Sequence, residues 1–309
     1  MGHRPRSQIP RLAGAPYPAL TRMQKDYKVS RREFLNLSLA VLVKTVLLGV
    51  GGLTYASQLE PLWHDVTSID LVLPGLEPSF DGYRLAQISD IHIGTWMNRD
   101  RLMQVVNRIN AQNPDLVVIT GDFVHHNPGR YIDDLVIPLQ GLKSRDGTLA
   151  VLGNHDHWTN AKLVRTLLEN AGIQDISNQV HTLERDRSLL HIAGVDDVWE
   201  HKDRLDLVLE ALPKEGSAIL LAHEPDYADI SAQTGRFDLQ LSGHSHGGQV
   251  ILPFIGPPVL PLLGQKYPLG LYRIAEMYQY TNRGIGMTSP PVRFNCRPEI
   301  TLLTLKSPS

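Results

Sequence analysis

The sequence has almost no cysteine: Cys296 stands alone among 309 residues. One thiol excludes an intrachain disulfide framework and any Cys-rich zinc cluster, so a metal would have to be held by His, Asp and Asn. Charge of one sign is lacking too. With 30 Lys and Arg against 32 Asp and Glu, the formal net charge is -2. That balance offers no polyelectrolyte attraction, and no nucleic-acid partner is expected. Acidic or basic docking tracts and internal repeats are absent as well. What the chain does have is histidine, 13 of them.

The N-terminal region is set apart from the rest. Residues 1–29 are rich in Arg and Pro, lack apolar periodicity and read as a disordered basic lead. Met23 would give a conventional short basic region, so residues 1–22 read as an over-extended start. In residues 30–56, Arg31 and Arg32 precede Phe34-Leu35 and an apolar run to Ala56, a pattern similar to a twin-arginine (Tat) export signal. Lys44 interrupts the run and would cost a spanning helix roughly 2.5 to 3.5 kcal/mol. With Gly49, Gly51 and Gly52 it suits an export signal better than a permanent anchor. Retention stays open, because Thr54-Tyr55-Ala56 is a weak cleavage pattern and Tyr55 and Trp63 suit a membrane interface. Asn36 stands where such signals often carry Lys. Arg22, Lys25, Lys28, Arg31 and Arg32 all lie on the N-terminal side, which places the remainder outside the cytoplasm, exported or anchored in a bacterial cell envelope. The Tat machinery and the membrane are therefore expected partners.

Residues 57–68 read as a linker and 69–306 as one α/β (α+β) domain in which strand-like and helix-like stretches alternate. Asn98 suits a helix N-cap, with Leu102, Val105, Val106 and Ile109 on one face behind it. Further helices are expected at about 160–171 and 203–212, the latter with Leu205, Val208, Leu209 and Leu212 on one stripe before Pro213.

One regularity points to function. Five apolar strands run into short polar strings: Ser89-Asp90-Ile91-His92, Gly121-Asp122, Gly153-Asn154-His155-Asp156, His223-Glu224 and Gly243-His244-Ser245-His246. A lone Gly-Asp is an ordinary turn and a lone histidine an ordinary structural residue. Turn chemistry offers no reason for five such strings at strand ends, where open α/β sheets bind ligands. Carboxylates, imidazoles and an amide oxygen together suit two divalent ions such as Mn, Fe or Zn, whereas Mg prefers oxygen alone. Two ions a few ångströms apart need a bridging carboxylate, and Asp122 is the natural bridge, clamping a hydroxide for attack on phosphorus.

Together these strings resemble the signature of the calcineurin-like metallophosphoesterases. "SRREFL", "GHSHGGQV" and "NRGIGMTSPPVRFNCRPEITLLTL" look like the exported YkuE/YaeI-type branch, so the match covers most of residues 31–305. The resemblance implies a four-layer α-β-β-α sandwich preceded by the signal or anchor helix. It implies that Asp90, His92, Asp122 and His246 hold one metal, and that Asp122, Asn154, His223 and His244 hold the other. His155 would contact the phosphoryl oxygens and protonate the leaving group, with Asp156 orienting it. His125 and His126 fall outside the signature. The loop reading suits His126, and His125 stands open between loop and site.

The substrate expected is a phosphoester, most simply a phosphodiester of the cell envelope or a lipid-linked one. Alternatives are the pyrophosphate of a UDP-diacylglucosamine-type lipid A precursor, which the external location disfavours, and a phosphoprotein. A metal-free scaffold on the same fold would have lost ligand positions, and none is missing here. Residues 250–272 are apolar and Pro-rich, and read either as a strand at 250–252 with a loop packed on the core or as an apolar apron that meets lipid.

Overall fold

In a computed structural model, residues 30–94, 96–126 and 128–308 are described. The basic lead expected over residues 1–29 lies outside them. Helix α1 (Arg31–Thr54) has 24 residues, about 36 Å at the usual rise per residue, and all of its side chains are exposed. It opens on a reciprocal cap in which the Ser30 hydroxyl accepts from Glu33 N (3.2 Å) and the Glu33 carboxylate accepts from Ser30 N (2.8 Å). By length and composition it could cross a membrane, with a mean hydropathy of 1.9 over its most apolar window.

Twelve strands follow among the described residues: β1 (Asp65–Val72), β2 (Tyr83–Ile88), β3 (Leu116–Thr120), β4 (Thr148–Val151), β5 (Gln174–Asp175), β6 (Gln179–Arg185), β7 (Ser188–Gly194), β8 (Ser217–Leu221), β9 (Leu239–Ser242), β10 (Gly270–Ile274), β11 (Met277–Thr281) and β12 (Glu299–Lys306). They form two six-stranded sheets, ordered β1-β12-β2-β3-β4-β5 and β10-β11-β9-β8-β7-β6. Most central pairings are parallel. β12 is the exception in the first sheet, lying parallel to β1 and antiparallel to β2.

Three apolar cores separate four layers. β3 is buried on both faces, and its period of two sends Leu116 and Val118 into the core between the sheets and Val117 and Ile119 into the core under the helices. The outer core of the first sheet is closed by α2 (Arg99–Asn110), α3 (Ile132–Leu139) and, beyond the short α4 (Asn154–Thr159), by α5 (Ala161–Asn170). Across the second sheet, Val208 of α6 (Leu205–Ala211) packs with Tyr227, Phe237 and Met277. The result is the α-β-β-α sandwich.

Local expectations hold where periodicity is long. The Asn98 side chain accepts from Arg101 N at 3.0 Å, and Leu102, Val105, Val106 and Ile109 of α2 are buried. α6 is shorter than expected. Val208 is its buried residue and Leu209, one position on, turns to solvent. No strand forms at 250–252; Val250 and Leu252 make isolated bridges to Phe294 and Gly256, because Pro253, Pro257 and Pro258 deny a continuous ladder. β1 begins at Asp65, inside the stretch read as a linker, since the whole of it pairs with β12 from Asp65 opposite Glu299.

Candidate metal centre

β2, β3 and β4 run parallel in the first sheet, as do β7, β8 and β9 in the second, so each group delivers its C-terminal ends to one edge. All five polar strings leave strands there. Chain reversal at that edge puts Asp90, His92, Asp122, His244 and His246 at positive φ, between 47° and 68°. Such backbone is costly for residues other than glycine and persists only where surrounding contacts impose it. The glycines make close approach possible. Gly121 has φ 90°, and a Cβ there would lie 2.5 Å from His223 Nδ1; one on Gly153 would lie 2.8 Å from His223 Nε2.

The ring nitrogens and carboxylates face one another across short distances. His92 Nε2 is 3.0 Å from His246 Nε2 and 3.4 Å from Asp122 Oδ2. His246 Nε2 lies 3.3 Å from Asp90 Oδ1, and His223 Nε2 lies 3.3 Å from Asp122 Oδ2. His244 Nδ1 is 3.1 Å from Asn154 Oδ1. Backbone carbonyls set two of the tautomers. His223 Nδ1 donates to Thr120 O (2.6 Å) and His244 Nε2 to Leu262 O (2.8 Å), which leaves the other nitrogen of each ring facing inward. His155 N donates to Asp122 Oδ1 at 2.9 Å.

Electrostatics here describe a site built around missing positive charge. Burial, then the charge of Asp122, pushes Asp90 up to about 7. Burial holds His92 and His246 well below the usual imidazole range and His244 down at about 3. His223 is pulled down by burial yet pushed well above its ordinary value by the Asp122 carboxylate. The neutral form is favoured at His92, His244 and His246, and imidazoles of that kind beside buried carboxylates are the donor set a divalent cation requires. Among the described residues, His223 Nε2 and His246 Nδ1 are also buried without a hydrogen-bond partner. The residues fit a metal.

Residues 83–248 match the family model of the calcineurin-like phosphoesterases. The chain belongs to this family. It is 38% identical over 284 residues to the metallophosphoesterase YkuE of Bacillus subtilis, covering 91% of this chain and 99% of that one. It is 28% identical over 281 residues to the phosphodiesterase YaeI of Escherichia coli, covering 90% and 99%. A zebrafish (Danio rerio) transmembrane protein with a metallophosphoesterase domain is 33% identical over 291 residues, covering 90% of this chain and 64% of that protein. The chain is therefore a hydrolase of phosphoesters.

In this phosphoesterase Asp156 does something other than orient His155. Its carboxylate accepts from the backbone N–H groups of Asp122 (3.0 Å), Phe123 (2.9 Å), Val124 (3.2 Å) and Gly153 (3.0 Å), cinching the β3 and β4 exits together. Both oxygens are committed to backbone, so that expectation is corrected. His125 faces the site: it is buried, its Nδ1 is 3.4 Å from His92 Nδ1, and its ring stacks on His155 at 5.1 Å. His126 is exposed. The C-terminal motif acts through the backbone. Ile285 N and Gly286 N donate to the carbonyls of Ser89 (3.0 Å) and Asp90 (2.8 Å). The fully buried Arg293 guanidinium in turn donates to the carbonyls of Arg283, Gly284, Gly286 and Cys296.

A cavity of about 480 Å³ opens over Asp122, Asn154, His155 and His244. Its walls include two tryptophans that the sequence reading missed, Trp158 and Trp199, together with Pro258, Val259 and Pro261. Trp158 packs against His155 (4.8 Å between centroids) and Trp199 (5.7 Å), and its Nε1 donates to Glu200 Oε1 at 2.7 Å. The loop bearing Trp199 is anchored from below, where Val198 N and Trp199 N donate to the Glu224 carboxylate at 3.2 and 3.4 Å. Burial and then Asp197 push Glu224 well above the usual carboxylate range. A signal was present in the sequence: Ile192-Ala193-Gly194-Val195-Asp196-Asp197 is a sixth apolar strand running into acidic residues.

Proposed function

We propose that this phosphoesterase is a metal-dependent phosphodiesterase acting on a cell-envelope or lipid-linked ester outside the cytoplasm. One observation carries the reading. The ligand atoms of Asp90, His92 and His246, and those of Asp90, Asp122 and His223, lie within 4.8 Å of one another at the floor of a cavity walled by tryptophan, proline and valine. Asp90, His92, Asp122 and His246 would hold one divalent ion; Asp122, Asn154, His223 and His244 would hold the second. Asp122 suits the shared position because its Oδ2 faces both His92 and His223. Mixed nitrogen and oxygen donors favour Mn, Fe or Zn. Such ions, when bound, supply positive charge for the phosphoryl oxygens and a water acidified enough to attack phosphorus.

The chain's own residues do the rest. His155 stands at the cavity edge, held between His125 and Trp158, where its ring can donate a proton to the departing ester oxygen. The tryptophan, proline and valine walls exclude water and suit an apolar group on the ester. The name of the Escherichia coli relative supports diester cleavage. Screening of purified, metal-reconstituted enzyme against phosphomonoesters, phosphodiesters, pyrophosphates and phosphopeptides tests the reading. Diesters should give the highest kcat/KM, and a preference for any other group overturns it.

The same reading takes residues 30–56 as a twin-arginine signal or anchor ahead of the catalytic domain. Arg31→Lys combined with Arg32→Lys should leave folded, active enzyme in the cytoplasmic fraction; unchanged export would show that the arginines only set topology.

A further inference from the structure

The segment after the last polar string is the most exposed apolar part of the folded domain. Residues 250–264 carry no charged side chain. Leu252 N donates to Gly256 O (3.0 Å) and Gly256 N to Leu252 O (2.9 Å), closing a turn over 252–256. At its tip Phe254 is fully exposed, with φ 66°, and Ile255 is 75% exposed; Val259 is 74% exposed behind them. A mutually hydrogen-bonded turn with a phenylalanine in the left-handed region at its tip is a built projection, and water gives no reason to build it.

Its position supplies the reason. The chain leaves α1 at Thr54, and the next residue, Tyr55, lines a cleft together with Glu60, Pro253, Phe294 and Asn295. Leu59, Leu62 and Trp63, just beyond, are exposed, and the Arg297 guanidinium lies 3.5 Å from the centre of the Trp63 ring. Exposed leucine beside an Arg-capped tryptophan suits the headgroup boundary of a bilayer. The turn, the cleft and this collar lie together where the apolar helix ends. Pro258 and Val259, which follow the turn, line the catalytic cavity.

We propose that the 252–256 turn, with Val259 behind it, inserts into the surface of the bilayer that α1 enters, so that the catalytic cavity opens at the lipid headgroups. The proposal rests on the reading of α1 as a membrane segment, and its test separates the two. Full-length protein is reconstituted into vesicles of phosphatidylethanolamine and phosphatidylglycerol containing nitroxide-labelled lipid. An environment-sensitive dye is attached in turn through Phe254→Cys, Leu42→Cys and Asp186→Cys. Cys296 is buried, so the unsubstituted chain gives the background. Asp186 lies in the β6–β7 turn, at the opposite end of the parallel strands from the metal centre, and serves as the control.

Insertion about 5 to 10 Å deep should roughly halve the emission at position 254 and leave position 186 unchanged. Quenching at 42 without quenching at 254 overturns the proposal and leaves the membrane reading of α1 intact. Quenching at 254 but not at 42 removes α1 as the anchor and overturns the proposal as stated, which seats the turn in the bilayer that α1 enters. A blue shift at 254 that grows with protein concentration and shows no lipid quenching assigns the turn to a chain–chain contact and also overturns it. Phe254→Ser with Ile255→Ser, neither of which lines the cavity, should leave kcat/KM on a short soluble diester within twofold. The same pair should lower the rate on a long-chain diester presented in the vesicles at least tenfold; equal rates there overturn the proposal as well.

Discussion

The floor and the rim of the same cavity are built on opposite physical terms. On the floor, Asp90, Asp122, Asp156 and five histidines are buried, and backbone groups of distant strands fix their orientation. At the rim, Val259 and Trp158 are exposed and apolar, and the exposed Phe254 and Ile255 continue that apolar surface outside the cavity. The floor is determined from within the protein; on the proposed function, charge from outside completes it and an apolar surface completes the rim. A change on the floor should therefore be felt as lost chemistry or lost fold, and a change at the rim as altered substrate preference.

The largest effect is expected at Asp122. Asp122→Asn should deplete metal at both positions and lower kcat/KM by more than the roughly 10² to 10⁴-fold loss that a missing general acid produces. His155→Ala should show that smaller loss with metal content intact, as read by elemental analysis beside kinetics. Metal loss in the His155 variant would make it part of the binding set and blur the division within the floor. Next comes Asp156→Ala, which strands four backbone N–H groups at once. A cost of about 3 kcal/mol or more is expected, visible as a lowered denaturation midpoint. An unchanged midpoint would mean that the floor is held by its ligands rather than by this carboxylate.

His64 offers a comparison outside both regions. Burial holds its ring at about 4, with Arg108 and Arg293 adding to the effect. The neutral form is favoured on folding, so its contribution is full above the unfolded value near 6.5 and is lost as pH falls towards 4. The loss amounts to about 3 kcal/mol. His64→Gln should flatten that part of the stability–pH profile relative to the parent chain, and parallel profiles would place the acid sensitivity in the metal centre instead.

Smaller effects belong to the rim. Trp158→Ala should raise KM about tenfold for an ester with a large apolar group, equivalent to roughly 1.4 kcal/mol, with kcat nearly unchanged. A matched fall in kcat would make Trp158 a support for His155 rather than a wall. Phe254→Ser should shift stability by less than about 0.5 kcal/mol, as for an exposed side chain. A larger drop would return the turn to the core and erase the contrast.

The two regions were also unequally legible in sequence. The floor residues sit directly after apolar strands, so strand periodicity and the recurrence of polar strings are enough to group them in the sequence. α2 was legible for a similar reason, having a capping asparagine and a full apolar stripe. What escaped depends on packing between distant segments. Trp158 and Trp199 become neighbours because Asp196 is gripped by His157 (2.7 Å) and Arg165 (2.7 Å), contacts with no sequence spacing to announce them. The antiparallel hairpins β6–β7 and β10–β11 escaped because each pairs an outer strand whose residues are only half-buried or exposed with an inner strand buried almost throughout, so neither shows a clear buried–exposed alternation. Asp156 was misread because adjacency to His155 suggested a partner that four backbone donors outbid.

The insertion of β12 between β1 and β2 reaches beyond the static fold. Asp65 pairs with Glu299 and Leu85 with Leu303, so two contacts of the first sheet join chain positions more than 200 residues apart. A nascent chain lacking residues 299–306 offers β1 no partner in that sheet and leaves the β2 edge open. Its later strands can pair locally while the ribosome is still working, but the sheet carrying Asp90 and Asp122 is completed only after the other strands of both sheets have been made. Synthesis order and folding order thus run against each other. Assembly of this domain is timed by the arrival of a single late strand, with the slow, non-local kinetics that such a closure brings.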